Sequence, residues 1–413
     1  MKVFTVLLFV LCSTFLLSQE NEIKKAENEY RVIKQQLDSL EIVLEDLKLA
    51  KIRNDLKEYG LPSVSDNEEL IWHSSMVLVY DEQHEMAKWV AHILLSDVTR
   101  GSVSRTNDFR PDSLVKTGST IEEDYFLKHL QADGTYKYDG YGYDRGHLAP
   151  SADFRWSERA LSESYLYSNI APQLPEFNRN KWADIENFVR AYMYRYPKSQ
   201  LFVVTGPVLN DELPKLERSP NRVSIPEQYY KVIMDFEAKR GMAFLVPHKN
   251  LIYPPEYYAI TIDSLEEITG INFFHTLSNE DESKIEAKIN IEAWLPKSSK
   301  NDKTPIKEKD LPKNAWNTVE AVLFVDKNEK ITVCGTVVST HKSNKGNVFL
   351  NLDKSFPNQI FSVTIWNRDL INFSYQPEIF LLNKKICVTG TISSYQGVPG
   401  TYVNNEKRLE IIE

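Results

Sequence analysis

The chain has 413 residues and a formal net charge of −9, a length that fits two or three structural modules. The acidic balance argues against a protein that is basic throughout and holds nucleic acid tightly over its whole surface. A local phosphate-binding groove is still compatible with this charge, because phosphate contact depends on nearby side chains and not on the total.

The N-terminus has the pattern of a secretory signal peptide over residues 1–18. Lys2 precedes an apolar run, Val3–Leu17, and Ser18 and Gln19 follow as the expected cleavage point. The run is short for a membrane span. We therefore expect a secreted or periplasmic protein with no stable membrane association after cleavage. An uncleaved N-terminal membrane anchor is the alternative.

Residues 19–60 are predicted to form a coiled-coil helix. The stretch 21–58 is strongly charged and free of Gly and Pro, and Gly60 ends it. Its apolar residues alternate three- and four-residue steps, which is typical of a coiled-coil seam. They are Ile23, Ala26, Tyr30, Ile33, Leu37, Leu40, Leu44 and Leu47. The simplest expectation is a homodimer; a long amphipathic helix that packs on its own chain is the alternative.

Residues 61–297 alternate strand-like and helix-like segments, which predicts an α+β domain with a mixed sheet flanked by helices. The predicted strands are Met76–Tyr80, Leu201–Val204, Tyr229–Asp235 and Met242–Val246. The predicted helices are Glu85–Leu95, Lys181–Tyr194 and Ile262–Gly270.

A four-residue motif, Asp144-Arg145-Gly146-His147, carries the strongest chemical signal. Imidazole is the side chain best suited to accept a proton near neutral pH. Arg presents a fixed fork of donors that fits a phosphate. A base and an anion clamp this close together indicate attack of activated water on a phosphodiester.

A second motif follows in the predicted helix. Asn178, Trp182 and Glu186 are four residues apart and would share one side of an α-helix. An amide oxygen with an outer carboxylate suits Mg²⁺, which prefers oxygen ligands and keeps most of its waters. The alternative is a helix cap at Asn178 or Asn180 with a solvated Glu186.

With these motifs, the chain resembles the DNA/RNA non-specific endonucleases of the ββα-metal fold, closest to the endonuclease G branch. Matches lie in family order over about residues 70–297. Besides the two motifs they comprise Tyr80, Ala87–Val90, Arg105–Asp112, Leu148–Pro150, Arg155–Ser157, Ser168–Gln173, Thr205–Val208, Ile225–Pro226 and Tyr230–Val232. The resemblance implies an endonuclease domain over residues 61–297 that acts on DNA and RNA.

The resemblance also implies roles for the central residues. His147 would be the general base that deprotonates the attacking water. Asn178 would be the direct protein ligand of a hydrated Mg²⁺, with Mn²⁺ as a possible replacement. Glu186 would hold metal-bound water, a role that outer-shell partners commonly have.

Four further residues are expected to support this chemistry. Arg145 and Arg105 would neutralise the charge that builds up in the transition state, although Arg105 could instead form a surface ion pair. Asp144 would orient the loop or the His147 ring, or be purely structural. Asn169 would support the site through hydrogen bonds. Such a site contacts the backbone and not base edges, so cleavage should be largely independent of sequence.

Residues 298–316 are polar, charged and contain Pro, which predicts a linker. Residues 317–413 then contain β-type segments separated by turns, and we predict a small all-β barrel of OB type. The predicted strands are Lys330–Ser339, Val348–Leu352, Phe361–Trp366, Lys385–Ile392 and Leu409–Ile412.

An OB-type barrel suggests single-strand binding by stacking and basic side chains. The candidates are Phe349, Phe361, Trp366 and Tyr395 with Lys342 and Lys345. Alternatively the aromatic residues fill the barrel, and the module binds a protein partner or the nuclease domain. Cys334 and Cys387 are the two cysteines beyond the signal peptide, and the sequence leaves open whether they pair.

The leading hypothesis is thus an exported, Mg²⁺-dependent, sugar-non-specific endonuclease. The alternative is a catalytically weak or inactive protein that binds nucleic acid or drives assembly through the coiled coil and the C-terminal barrel. The presence of His147, Asn178 and Glu186 argues for the enzyme.

Overall fold

The structure is a computed structural model, and it describes residues 2–251, 253–295, 298–395 and 397–412. The chain divides into two compact units, Met1–Asp55 and Leu56–Glu413. The first helix, α1, spans Lys2–Tyr59. The predicted signal peptide falls on residues 1–18, whose side chains lie outside the described part. Within the described ranges, no helix combines the length and hydropathy that a membrane crossing requires.

Helix α1 contains the whole stretch predicted as a coiled coil. It ends at Tyr59, and the backbone N–H of Gly60 donates a 3.0 Å hydrogen bond to the carbonyl oxygen of Leu56. The apolar stripe is exposed in the single chain, with at least 53% of each side chain accessible at Ile23, Tyr30, Ile33, Leu37, Leu40, Leu44 and Leu47. Pairing of two helices stays a prediction.

A seven-stranded sheet in the order β1-β2-β3-β8-β9-β10-β11 is the centre of the α+β domain that follows α1 in the chain. Its strands are β1 (Leu70–Trp72), β2 (Met76–Asp81), β3 (Met86–Leu94), β8 (Leu201–Pro207), β9 (Gln228–Asp235), β10 (Arg240–Pro247) and β11 (Ala259–Ile260). Every described pairing in it is antiparallel, whereas the sequence predicted a mixed sheet. All four predicted strands are present.

The helix predicted over Glu85–Leu95 is wrong, because the segment forms strand β3. Glu85 has a φ of 57° in the turn that leads into it. The strand lies between β2 and β8, and Trp89, Val90 and Ile93 are at most 1% exposed. A strand that is buried on both faces lacks the alternation of polar and apolar residues that identifies strands in a sequence.

Among the described residues of this domain, five short helices connect the strands or follow the sheet in the sequence. They are α2 (Glu158–Glu163), α3 (Ala183–Arg195), α4 (Ile262–Thr269), α5 (Asn279–Ile285) and α6 (Ile291–Trp294), and a π-helical turn, Phe177–Trp182, precedes α3. The predicted helices at α3 and α4 are confirmed. Two small antiparallel ribbons complete the domain: β4 (Phe126–Leu130) with β5 (Tyr136–Gly140), and β6 (Asp144–His147) with β7 (Ile170–Gln173).

The C-terminal region is a β domain, and the five strands predicted there are confirmed. Its strands are β12 (Ala315–Asn317), β13 (Lys330–Lys342), β14 (Val348–Leu352), β15 (Phe361–Ile365), β16 (Lys385–Thr391), β17 (Ser393–Tyr395), β18 (Val398–Tyr402) and β19 (Leu409–Ile412), with a short helix α7 (Pro377–Phe380). The order is β17-β18-β15-β14-β13-β16-β19, with β12 beside β13. This described path does not close, so the OB-like barrel is not confirmed.

Two details of this domain could not be derived from the sequence. Cys334 and Cys387 lie directly opposite each other on β13 and β16 and form a disulfide. The segment predicted as a linker contacts the domain, because the backbone N–H of Lys303 donates to the carbonyl oxygen of Asp353 at 2.8 Å. Strand β12 begins inside that segment and pairs in parallel with β13.

Candidate active site

The ribbon of β6 and β7 positions the Asp-Arg-Gly-His motif. His147 lies opposite Ile170, and Gly146 lies opposite Ala171. A Cβ atom on Gly146 would lie 2.2 Å from the side-chain Cδ of Gln173. The absence of a Cβ atom at Gly146 therefore leaves the space that the Gln173 side chain occupies beside the strand that carries His147.

His147 lies in a largely aromatic pocket and is 9% exposed. Its ring centre is 5.5 Å from that of Phe109 and 4.9 Å from that of Tyr165. Nε2 is buried and has no hydrogen-bond partner among the described residues. Burial, assisted by the positive charges of Arg105 and Arg145, lowers the pKa of His147 to about 3. The imidazole is therefore neutral at physiological pH, with a ring nitrogen that is free to bind a further group.

Two arginines lie close enough to act on His147. The Arg145 guanidinium lies 3.8 Å from the centre of the Phe109 ring, and its Nη1 is 3.8 Å from a carboxylate oxygen of Glu122. Arg105 is exposed, and its Nε donates a 3.1 Å hydrogen bond to the Tyr165 hydroxyl. Both guanidinium groups are thus held by aromatic side chains of the His147 pocket, with further donors left for an anion.

The Asp144 carboxylate forms no hydrogen bond with the described His147 ring. It instead accepts hydrogen bonds from residues that follow β7. The side-chain amide of Asn178 donates to Oδ2 of Asp144 at 2.9 Å. Arg179 donates to both carboxylate oxygens, at 2.8 and 2.7 Å. Since a carboxylate only accepts hydrogen bonds, the NH₂ group of Asn178 must point to Asp144. The amide oxygen of Asn178 is then left available as a ligand.

The π-helical turn changes the geometry that the sequence predicted for Asn178, Trp182 and Glu186. Trp182 is 1% exposed and stacks with Phe177 at 5.5 Å, so it belongs to the core. Glu186 lies on α3 with 14% of its side chain exposed. Burial raises the pKa of Glu186, and Arg190, Lys231 and Arg105 oppose that rise.

Asn169 is a fully bonded structural residue. It is 0% exposed, and its NH₂ group donates to the carbonyl oxygens of Ala149 and Ser164 at 2.9 and 2.8 Å. Its side-chain oxygen accepts a 2.9 Å hydrogen bond from the backbone N–H of Ala149. These bonds hold the segment that follows His147, and the role of Asn169 in supporting catalysis stays a prediction.

A buried polar network was not predicted from the sequence. Asp153 accepts a 2.8 Å hydrogen bond from Arg190 and lies 3.1 Å from Nε2 of His92. Arg190 also lies 3.7 Å from Glu186. The positive charge of Arg190 and a hydrogen bond from His92 hold the pKa of Asp153 below its usual value, although burial acts in the opposite direction. Arg190 follows Glu186 by one helical turn, and this spacing was the available signal.

Lys231 is the second buried cation of the site. It is 1% exposed and donates to the Thr205 hydroxyl at 2.6 Å, with its Nζ 3.4 Å from the carbonyl oxygen of Leu148. Burial lowers the pKa of Lys231 to about 8, and the carboxylates of Glu186 and Asp153 limit that decrease. The family resemblance includes Tyr230–Val232 but implies no role for this lysine.

The side chains of this site fit a hydrated divalent cation. The amide oxygen of Asn178 is directed away from Asp144, and Glu186 is a buried carboxylate with an elevated pKa. The side-chain amide of Gln173 is buried and has no partner for either polar atom among the described residues. Oxygen donors of this kind are the ligands and water-holding groups that Mg²⁺ and Mn²⁺ accept.

The chain is similar in sequence to a family of known nucleases. Residues 52–280 match the model of the DNA/RNA non-specific endonuclease family. The chain is 31% identical to mitochondrial endonuclease G of Bos taurus over 237 residues, which is 53% of this chain and 72% of that protein. It is 28% identical to a nuclease of a Nostoc species, covering 53% of this chain and 78% of that protein. A solved structure of an EndoG/EndoGI complex matches with 25% identity and a TM-score of 0.46, over 55% of this chain and 93% of that one.

Proposed function

The chain belongs to the DNA/RNA non-specific endonuclease family and is a nuclease that hydrolyses phosphodiester bonds; from this premise we propose that it is an exported, Mg²⁺-dependent enzyme that cleaves both DNA and RNA. One observation carries the catalytic part of this proposal. His147 is buried, neutral and free at Nε2, and it lies within the electrostatic influence of two arginines.

His147 acts as the general base. Its neutral imidazole accepts the proton of the attacking water through a free ring nitrogen. The low pKa in the free protein reflects a dry pocket with two neighbouring cations. A bound phosphate places negative charge beside the ring, which raises the pKa of His147 toward the range in which it accepts a proton.

Arg145 and Arg105 bind the scissile phosphate. Arg145 is preorganised by its contact with Phe109, and Arg105 by its hydrogen bond to Tyr165. Donors that are fixed before the reaction stabilise developing negative charge without reorganisation. Because phosphates are common to all sequences and to both sugars, this clamp supports cleavage of DNA and RNA without base readout.

Asn178 holds the divalent cation, and Asp144 positions Asn178. The family is metal-dependent, and a bound Mg²⁺ supplies positive charge at the phosphate oxygens. Asp144 fixes the amide orientation through its 2.9 Å hydrogen bond. Glu186, held by Arg190 at 3.7 Å, accepts hydrogen bonds from water at the site.

Export is supported by the disulfide between Cys334 and Cys387 and by the signal-like N-terminus. Disulfides persist in oxidising compartments and are rare in reducing ones. We therefore place the mature protein outside the cytoplasm, secreted or in a periplasm. A homodimer through residues 21–58 is supported by the exposed apolar stripe on α1.

The C-terminal domain reaches the helix that carries Asn178. The Ser394 hydroxyl lies 3.5 Å from the carbonyl oxygen of Arg179. A Cβ atom on Gly397 would lie 2.7 Å from the backbone nitrogen of Asp184. Tyr395, between these contacts, is 73% exposed. We propose that this hairpin extends the substrate surface by offering an aromatic face on which a base can stack.

Of the other predicted aromatic residues, Phe361 is 0% exposed and belongs to the domain core, whereas Trp366 is 39% exposed. Lys342 forms an ion pair with Glu378 at 2.9 Å, which reduces its value as a phosphate contact. The hairpin with Tyr395 is therefore the part of the domain that fits nucleic acid best.

Plasmid nicking by residues 19–413 tests the proposal, with Mg²⁺, with EDTA and beside His147→Ala. We expect cleavage that requires the metal and falls by at least about 10²-fold in the variant, with DNA binding retained. Equal cleavage by His147→Ala would exclude His147 as the base. Binding without cleavage by the folded wild type under Mg²⁺ and Mn²⁺ would favour the alternative, a nucleic-acid-binding or assembly protein.

A further inference from the structure

Three carboxylates converge at a place well separated along the chain from the motifs of the active site. Asp263 and Glu266 lie on the first turns of α4, and Glu286 directly follows α5. Each offers a carboxylate oxygen, and these atoms all lie within 4.8 Å of one another. Glu282, one turn before Glu286, adds a fourth negative charge to the neighbourhood.

Glu286 is the unusual member of this cluster. It is 0% exposed, and neither of its carboxylate oxygens has a hydrogen-bond partner among the described residues. Burial, together with the charges of Glu266, Glu282 and Asp263, raises the pKa of Glu286 to about 9. Burial of a carboxyl group without any partner is unfavourable, so a native protein usually provides a compensating group.

The compensating group is not a neighbouring cationic side chain. Within the described ranges, no ion pair is recorded for Asp263, Glu266 or Glu286, and every charge that acts on Glu286 is negative. Lys284 pairs with Glu280, and Lys239 pairs with Asp281 at 2.7 Å. Lys288, two residues after Glu286, is exposed and is not among the charges that act on Glu286.

We propose that Asp263, Glu266 and Glu286 bind a Ca²⁺ ion at a structural site distinct from the phosphodiester-cleaving centre. Carboxylate oxygens are hard ligands that suit Ca²⁺, which takes six to eight oxygens in flexible geometry and can complete its shell with water. Mg²⁺ demands near-ideal octahedral geometry and loses water reluctantly, so it suits three crowded carboxylates less well.

The position of the site indicates what the ion does. The backbone carbonyl oxygen of Glu286 accepts a 3.1 Å hydrogen bond from the N–H of Ile262, so the end of α5 already touches the start of α4. A Cβ atom on Gly241 of β10 would lie 2.8 Å from Ile262 and 2.9 Å from Ile285. Both helices therefore pack on one point of the strand, and Ca²⁺ joins them there by neutralising the charges that separate them.

The test is the thermal unfolding of the full chain after removal of metal with EDTA and dialysis. Added Ca²⁺ should raise the Tm by about 5 °C at a hundredfold excess over its Kd, because the ion binds only the folded state. The rise should be absent in Glu286→Gln and retained in Asn178→Ala, whose substitution lies in the catalytic centre.

The Gln variant is a fair test, because an amide has nearly the same shape as a carboxyl group but lacks the negative charge that a bound cation favours. Equilibrium dialysis with Ca²⁺ gives a second readout, which does not depend on stability: one bound ion in Asn178→Ala and none in Asn178→Ala/Glu286→Gln. An equal rise in Tm in Glu286→Gln, or an equal response of Asn178→Ala to Mg²⁺, would overturn the proposal.

Discussion

The side-chain amide of Asn178 donates a 2.9 Å hydrogen bond to Oδ2 of Asp144, the residue three positions before His147. Asp144 is simultaneously bound by the guanidinium of Arg179. This carboxylate therefore connects the strand that carries the proposed general base with the turn that carries the proposed metal ligand. Asp144 binds the Asn178 side chain directly and contacts His147 only through the backbone of their shared strand. A change at Asp144 should therefore affect the metal site more than the base.

Replacement of Asp144 should weaken metal use. In Asp144→Ala the Asn178 amide loses the partner that selects its rotamer, and such losses typically lower metal affinity 10- to 100-fold. We expect the Mg²⁺ concentration for half-maximal nicking to rise by that factor. Asp139→Ala is the matched control, since Asp139 forms a similar two-point pair with Arg218 on an exposed ribbon. An unchanged Mg²⁺ requirement in Asp144→Ala would show that Asp144 does not position the ligand.

Acid should destabilise the wild type more than a variant without the buried imidazole. The pKa of His147 is lowered to about 3, so the unfolded chain takes up a proton below its ordinary pKa of 6.5 and the folded chain does not. The neutral His147 therefore makes a contribution to the free energy of unfolding that is fully present above pH 6.5 and is lost as the pH falls toward 3. Between pH 7.5 and pH 5.0 this amounts to about 2 kcal/mol.

Urea unfolding at these two pH values measures the effect. The wild type should lose about 2 kcal/mol more than His147→Asn, because buried His92 is present in both proteins and cancels in the difference. Equal losses would indicate that the His147 pocket is open to water in solution.

Tyr395 should contribute to the binding of single strands. It is 73% exposed on the hairpin beside Arg179. A stacked base is worth about 1–3 kcal/mol, so Tyr395→Ala should weaken single-stranded DNA binding about 5- to 100-fold. Tyr395→Phe is the control, because it keeps the aromatic face and should bind as the wild type does. Fluorescence anisotropy with a labelled oligonucleotide in EDTA distinguishes the three proteins, and wild-type affinity in Tyr395→Ala would remove the hairpin from the substrate surface.

The apolar stripe of α1 should hold two chains together. Leu37 and Leu40 are 53% and 66% exposed in the single chain. Charges at both positions, in Leu37→Glu/Leu40→Glu, disrupt a coiled-coil seam and should convert the dimer to a monomer. Gln35→Glu, at the outward f position opposite the seam, should leave the mass unchanged. Light scattering coupled to size-exclusion chromatography gives the mass directly, and a monomeric wild type would contradict the pairing.

The amino-acid sequence by itself predicted a nuclease, which the family match supports, and most of the scaffold of the proposed site. His147 and Arg145 lie in one contiguous motif, and such a motif needs no knowledge of the fold to be recognised. Amphipathic α3 and α4 and the strands of the C-terminal domain carry local periodicity, so their positions follow from the spacing of apolar residues.

Contacts between distant segments were decided only by the tertiary structure. The sequence wrongly predicts a helix at strand β3, because the burial of both faces of β3 comes from neighbours that are remote in sequence. The partner of Asp144 lies 34 residues away, the disulfide joins residues 53 apart, and Asp263 meets Glu286 across two helices. Local propensity contains no information on such distances, because they are set by which apolar faces the whole chain can bury together.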